Sequence, residues 1–156
     1  MHLPYHGAGI IFWTVSETGE VSFLMGKRSM PPQNHRWSFP GGTWERARDG
    51  YDAKGKISYK ETAIRECQEE VGLDVPSPGN LFPLWSLDVP GFHYRVYTYY
   101  LKNQVTPPYI SEFSQAGWVT FSTVPSPTVT FVRKQIRRLK HYVEQTRKRT
   151  IGFVDQ

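Results

Sequence analysis

The chain opens with two dense apolar runs, residues 7–15 and 21–28, on either side of the polar segment Ser16-Glu17-Thr18-Gly19-Glu20. Runs of that length around a glycine-containing turn predict the two strands of a hairpin. Residues 29–36, with Pro31 and Pro32, read as a loop. Residues 37–39 read as a short strand stopped by Pro40 and the pair Gly41-Gly42. The polar stretch that follows, with Asp49, Gly50, Asp52 and Gly55, reads as a surface loop. A helix comes next. Ile64, Cys67 and Val71 recur at helical spacing, Ser58 with Glu61 predicts a capping box, and Gly72 predicts a left-handed end. After the break at Pro76-Ser77-Pro78-Gly79, residues 81–89 and 92–101 predict strands joined through Pro90-Gly91, and residues 117–121 one more. Val132, Ile136, Leu139 and Val143 make one apolar stripe, which predicts a helix over residues 128–147. The order is mixed α/β.

Composition narrows this picture. With 156 residues there is room for one core, so residues 1–156 are expected to form a single domain. No apolar run approaches the ~20 residues that span a bilayer, and the start lacks a signal pattern, which argues against a membrane protein. The one cysteine excludes an internal disulfide and points to a reducing, cytoplasmic setting. A net charge of +5 and a pI near 9.4 suit a polyanionic ligand. No internal repeat or low-complexity tract is present.

The chemistry concentrates in the stretch Arg65-Glu66-Cys67-Gln68-Glu69-Glu70-Val71-Gly72-Leu73. A helix turns about 100° per residue, so Glu66, Glu69 and Glu70 fall on one face. Carboxylates crowded in this way repel one another, and a hard divalent cation that prefers oxygen relieves the repulsion. The Gly41-Gly42 pair lets backbone approach a ligand closely. Phe92, Tyr94, Tyr97, Tyr99 and Tyr100 share one strand, where such rings either pack the sheet or stack on a base. Lys27, Arg28 and His35 could meet phosphate or stand in solvent. His2 and His6 read as terminal residues without a role. The last helix carries Arg133, Lys134, Arg137, Arg138, Lys140, Arg147, Lys148 and Arg149, expected to face water as its apolar stripe packs inward.

Phe39-Pro40-Gly41-Gly42 followed by residues 65–73 resembles the Nudix box of the Nudix hydrolases. The second half of that box matches at every specified position, with Cys67 as the small apolar residue. The resemblance implies a mixed sheet between helices and attack of water on phosphorus in a diphosphate, with Mg²⁺ as cofactor and Mn²⁺ as a substitute. It implies Glu66, Glu69 and Glu70 as metal ligands with the Gly41 carbonyl, and Arg65 as the residue that orients a glutamate. Glu69, Glu70 or Glu112 would act as general base, Glu112 standing in a region where many members carry an acid. The expected substrate is a nucleoside diphosphate linked to another moiety. RNA 5′-pyrophosphate removal is an alternative suggested by the basic helix, and a non-catalytic nucleotide-binding module is another.

One position departs from the family pattern. Ile57 stands where the first glutamate of the box belongs, and the segment before it is longer than the family spacing. Asp49 or Asp52 could supply the acid. Acidic loops are ordinarily solvated, so a plain insertion without catalytic effect is the expectation.

Overall fold

The computed structural model describes residues 4–154, and His2 lies outside them. The expected hairpin is there: β1 (Tyr5–Val15) pairs antiparallel with β2 (Val21–Arg28) from Trp13↔Phe23 to Val15↔Val21. Its turn is closed by the Ser16 N–H to the Glu20 carbonyl and the Gly19 N–H to the Ser16 carbonyl, both 2.9 Å.

Towards the start of β1 the two strands take different partners. β2 pairs with β3 (Trp37–Ser38) at Gly26 and Lys27, whereas β1 pairs with β4 (Gly41–Thr43) at Gly7, Ala8 and Gly9. β4 is not legible in the sequence, because Gly-Gly-Thr offers no alternating side chains. Its position depends instead on backbone closeness: a Cβ on Gly41 would run into the Ala8 carbonyl, Gly9 Cα and the Tyr94 hydroxyl. The glycine pair therefore sits where β1 and β2 part.

β5 (Phe82–Val89), β6 (Phe92–Tyr100) and β7 (Phe113–Thr120) complete a seven-stranded sheet of order β3-β2-β1-β6-β5, with β4 on β1 and β7 on β2. β6 runs parallel to β1 along its length, and the other pairs are antiparallel. β1 is buried on both faces, which explains its unbroken apolar run. Ala8, Ile10 and Phe12 pack with Ala63, Cys67 and Val71 of α2 (Tyr59–Val71). Ile11 and Trp13 pack with Val132, Ile136, Leu139 and Val143 of α3 (Val132–Val154). The sheet lies between these two helices, as expected. No helix among the described residues is long and apolar enough to cross a membrane.

Gly72 caps α2 at φ 68°, and its N–H reaches the Gln68 carbonyl at 3.0 Å. The capping box is not formed, since the Ser58 side chain makes no cap hydrogen bond. The Thr62 hydroxyl takes up the local polar demand, donating to Asp49 Oδ2 at 2.9 Å and within 3.3 Å of the Ser58 carbonyl.

α3 starts at Val132 rather than at residue 128. Residues 127–129 are drawn to the edge of β3: the Trp37 N–H reaches the Pro127 carbonyl at 2.8 Å, and the Val129 N–H the Trp37 carbonyl at 2.9 Å. Phe131, at φ 72°, then stands in the left-handed region, where a right-handed helix cannot begin. The helix continues to Val154, beyond the expected residue 147.

The inserted segment is folded. It holds α1 (Arg46–Asp49) and a bridge between Tyr51 and Ile57. Tyr97 and Tyr99 belong to the core and are not stacking rings. His6 lies in β1, where its Nδ1 is 2.8 Å from the Tyr59 hydroxyl and its ring stacks on His93 at 4.9 Å, so it is not a free terminal residue.

Candidate active site

α2 packs its apolar stripe on the sheet, and this turns Glu66, Glu69 and Glu70 towards β4. The three line a cleft of about 280 Å³ with Gly42, Thr43, Glu45, Arg65 and the loop residues Ser111 and Glu112. Glu112 is thus brought to the acidic helix face by the chain before β7. The loop is pinned there by the Ser111 N–H on the Glu70 carbonyl, 2.8 Å. Glu112 itself adopts φ 66°, an uncommon conformation for a non-glycine residue. Its carboxylate has no hydrogen-bond partner among the described residues.

Glu70 is 5% exposed, and its Oε2 accepts the Gly41 N–H at 2.7 Å. Burial pushes its pKa up to about 8, and the neighbouring charges of Glu66 and Glu112 push the same way against the Gly41 amide and Arg28. Burial likewise raises Glu66, opposed by Arg65. Glu66 lies so close to the backbone that a Cβ on Gly42 would collide with its carboxylate. Here the glycine pair is needed for two close approaches, one to β1 and one to an acid.

Arg65 is the hub. Its Nε reaches Asp49 Oδ1 at 2.7 Å and its Nη2 reaches Oδ2 at 2.9 Å, a two-pronged pair. Its Nη1 bonds Glu66 at 3.0 Å and Glu69 at 3.2 Å, and its Nη2 also reaches the Thr43 carbonyl at 2.8 Å. The side chain of Asp49 is 1% exposed, and its Oδ2 further accepts the Glu45 N–H and the Thr62 hydroxyl, both at 2.9 Å. Burial alone would raise the Asp49 pKa, but these donors, Arg65 foremost, hold it below the ordinary value.

The two candidates for the missing acid are therefore separated. Asp49 meets Arg65. Asp52 is exposed and accepts the Lys54 and Lys56 N–H groups of its own turn, at 2.9 and 3.0 Å. The expectation of a solvated insertion fails at Asp49, because the short helix α1 carries that residue back to the core.

The donor set suits a hard divalent cation: five carboxylate side chains, those of Glu45, Glu66, Glu69, Glu70 and Glu112, line one cleft, and Arg65, partly buried, is the one cation among its lining residues. Among the described residues no three acids, histidines or cysteines already stand in a metal-holding arrangement. Arg65 and Arg48 instead engage the carboxylates, Arg48 through a direct pair with Glu69.

A second cavity, of about 220 Å³, lies across the glycine pair. Of Lys27, Arg28 and His35, only Arg28 lines it, and of the β6 aromatics only Phe92 and Tyr94 do. Tyr100 lines a different groove with Trp13 and Tyr142. Trp85, Phe131 and Gln135 also wall the second cavity and were not singled out from the sequence, where each reads as an ordinary strand or helix position.

A model of the NUDIX domain matches residues 4–139. No curated protein matches the chain. Among solved structures, the NUDIX domain of Shewanella oneidensis NrtR complexed with ADP ribose is 18% identical, with a TM-score of 0.68 over 92% of this chain and 90% of that one. An Ap4A hydrolase of C. elegans is 18% identical, with a TM-score of 0.64 over 90% and 98%. A MutT/nudix family protein from Enterococcus faecalis is 18% identical with a TM-score of 0.64; it covers 77% of this chain, which spans 45% of its length. These likenesses are likenesses of fold.

Proposed function

We propose, from the premise that the chain belongs to the NUDIX family, that it hydrolyses the diphosphate linkage of a nucleoside diphosphate joined to another moiety. The observation that carries this is the cleft itself, in which Glu66, Glu69, Glu70 and Glu112 face one space beside a glycine pair. Mg²⁺, with Mn²⁺ as substitute, would be held by Glu66, Glu69, Glu70 and the Gly41 carbonyl. When bound, the cation neutralises charge on the diphosphate and activates water.

The protein's own groups do the rest. Arg65, fixed by Asp49, aims the Glu66 and Glu69 carboxylates. The Gly41 N–H fixes Glu70. Glu112, the carboxylate without a hydrogen-bond partner among the described residues, takes the proton of the attacking water, and Glu69 and Glu70 serve as ligands. The enzyme works in a reducing compartment such as the cytoplasm. In this reading Asp49, paired with Arg65, takes the part of the acid absent at Ile57, which supports catalysis over a non-catalytic module.

The test is phosphate release from a panel of nucleoside diphosphate derivatives and nucleoside triphosphates, with Mg²⁺, with Mn²⁺ and with chelator. Turnover that requires a divalent ion supports the reading. No turnover of any member with either ion, by a protein that binds the ions, removes it.

A further inference from the structure

Between Glu112 and Glu144 the chain holds no acidic residue, and five cations fall in one stretch of α3: Arg133, Lys134, Arg137, Arg138 and Lys140. The first turn of the helix carries no acid. Arg133 and Lys134 stand there instead, against the positive end of the helix dipole. Arg133 with Arg137, and Lys134 with Arg138, are like charges at i,i+4 spacing, which repel one another. All five are exposed, and none forms a salt bridge among the described residues. Two local charge rules are therefore broken in the same stretch. Sequences keep such conflicts where function calls for them.

Three of these cations edge a groove. Arg133, Arg137 and Lys140 line a cavity of about 230 Å³ whose other walls are Phe121, Val124 and Ile136. Their spacing puts the three in a row along about 10 Å of helix. Phe121 and Val124, in the turn after β7, pack on the same core as Ile136 yet stay partly exposed. The Phe121 ring lies against Phe23, with centroids 5.1 Å apart, so the floor is a fixed apolar surface. Past Lys140 the groove runs on to Glu144 and Glu20, where its charge reverses. It shares no residue with the acidic cleft or with the cavity across the glycine pair.

We infer that this groove docks an acidic segment of a partner protein. One apolar side chain of that segment sits on Phe121, Val124 and Ile136, and its flanking carboxylates pair with Arg133, Arg137 and Lys140. An apolar floor inside a charged rim is the build of a protein interface, and arginine is enriched at such interfaces. Charge decides the partner's sign, because a carboxylate here relieves the repulsion among the five cations. A single-stranded RNA would meet the rim but needs rings open to its bases. The one ring in this groove is Phe121, already packed on Phe23. A flat anionic membrane would likewise meet the rim and leave the floor unused.

The experiment is fluorescence anisotropy of short labelled probes over roughly 50–200 mM salt. One probe is a peptide of Asp and Glu around a central Leu-Phe pair, and the second has Ser-Ser in its place. The third is an oligouridylate of equal charge, and phosphatidylserine vesicles are tested beside it by sedimentation. The proteins are wild type, Arg137→Glu with Lys140→Glu, and the charge-matched control Lys54→Glu with Lys56→Glu in the inserted turn. The Leu-Phe peptide is expected to bind wild type about tenfold or more tightly than the Ser-Ser peptide. The α3 reversal is expected to weaken it by about tenfold or more, and the control by less than about twofold. Should the reversed protein fail to fold, Arg137→Gln with Lys140→Gln decides. No measurable binding of the Leu-Phe peptide overturns the inference, as does equal binding of the two peptides. Tighter binding of the oligouridylate or the vesicles, or an equal loss in the control, overturns it too.

Discussion

α2 and α3 pack on opposite faces of one sheet, each by an apolar stripe, and each carries a dense cluster of charge, acidic on α2 and basic on α3. Their charges have opposite fates. On α2 the acids face inwards across the glycine pair, and Glu70 is almost fully buried. On α3 Arg133, Lys134, Arg137, Arg138, Lys140 and Arg147 to Arg149 are exposed, and none forms a salt bridge among the described residues. The α3 cations that do find hydrogen-bond partners meet neutral oxygens, Arg133 the Ser126 hydroxyl and Arg147 the Gly19 carbonyl of the β1–β2 turn, both 2.9 Å. A charged helix face becomes chemistry when other segments close over it. α2 has β4 and the Glu112 loop over its acids, whereas the cations of α3 look out on water.

The sharpest test of this contrast is Glu70→Gln. Turnover is expected to fall at least ~100-fold, the scale of losing a strong electrostatic group, with an unchanged circular dichroism spectrum. Near-wild-type activity would place Glu70 outside the site.

Next in size is the pair Asp49→Asn and Asp52→Asn, measured separately. Breaking one side of a buried ion pair costs about 3–5 kcal/mol, and Arg65 would lose the anchor that aims two glutamates. Asp49→Asn is therefore expected to lower both the melting temperature and turnover, turnover by about tenfold or more. Asp52→Asn should leave both near wild type, because that side chain serves only its own turn. Equal effects of the two changes would refute the separation.

The pH dependence of the chelated protein follows from Glu70. Its folded pKa, about 8, lies above the ordinary carboxylate value near 4.5. A raised acid contributes stability that is full below the unfolded pKa and is lost as pH rises through the folded one. Thermal unfolding in chelator should therefore weaken between about pH 5 and 8, less so in Glu70→Gln and less so with Mg²⁺ present. A melting temperature that climbs steadily over that interval in wild type would contradict the assignment.

The smallest effect is expected on the other helix. Reversing Arg137 and Arg138 to Glu should change KM for a nucleoside triphosphate by less than about twofold, since solvated charges beyond a Debye length act weakly. A short triphosphorylated RNA assayed over roughly 50–200 mM salt gives the converse. A steep salt slope that these reversals abolish would give α3 a role equal to that of α2.

Much of this protein was determined by its sequence alone. The hairpin of β1 and β2, the acidic face of α2, its end at Gly72 and the apolar stripe of α3 all follow from spacings within one element. Helical and strand periods relate near neighbours, so they can be read without a fold. The tertiary structure decided what lies opposite. Asp49 reaches Arg65 because α1 folds back, which no spacing rule foretells. Glu112 reaches the acids because a loop is pinned by Glu70, and β4 exists because glycine allows it to touch β1. Gln135 reads as one more polar residue beside a helix stripe, until the edge of β3 holds residues 127–129 and Phe131 turns left-handed, so that it lines a cavity. The physical reason is the same each time: these partners are far apart in sequence, and only chain closure brings their charges and hydrogen bonds within range.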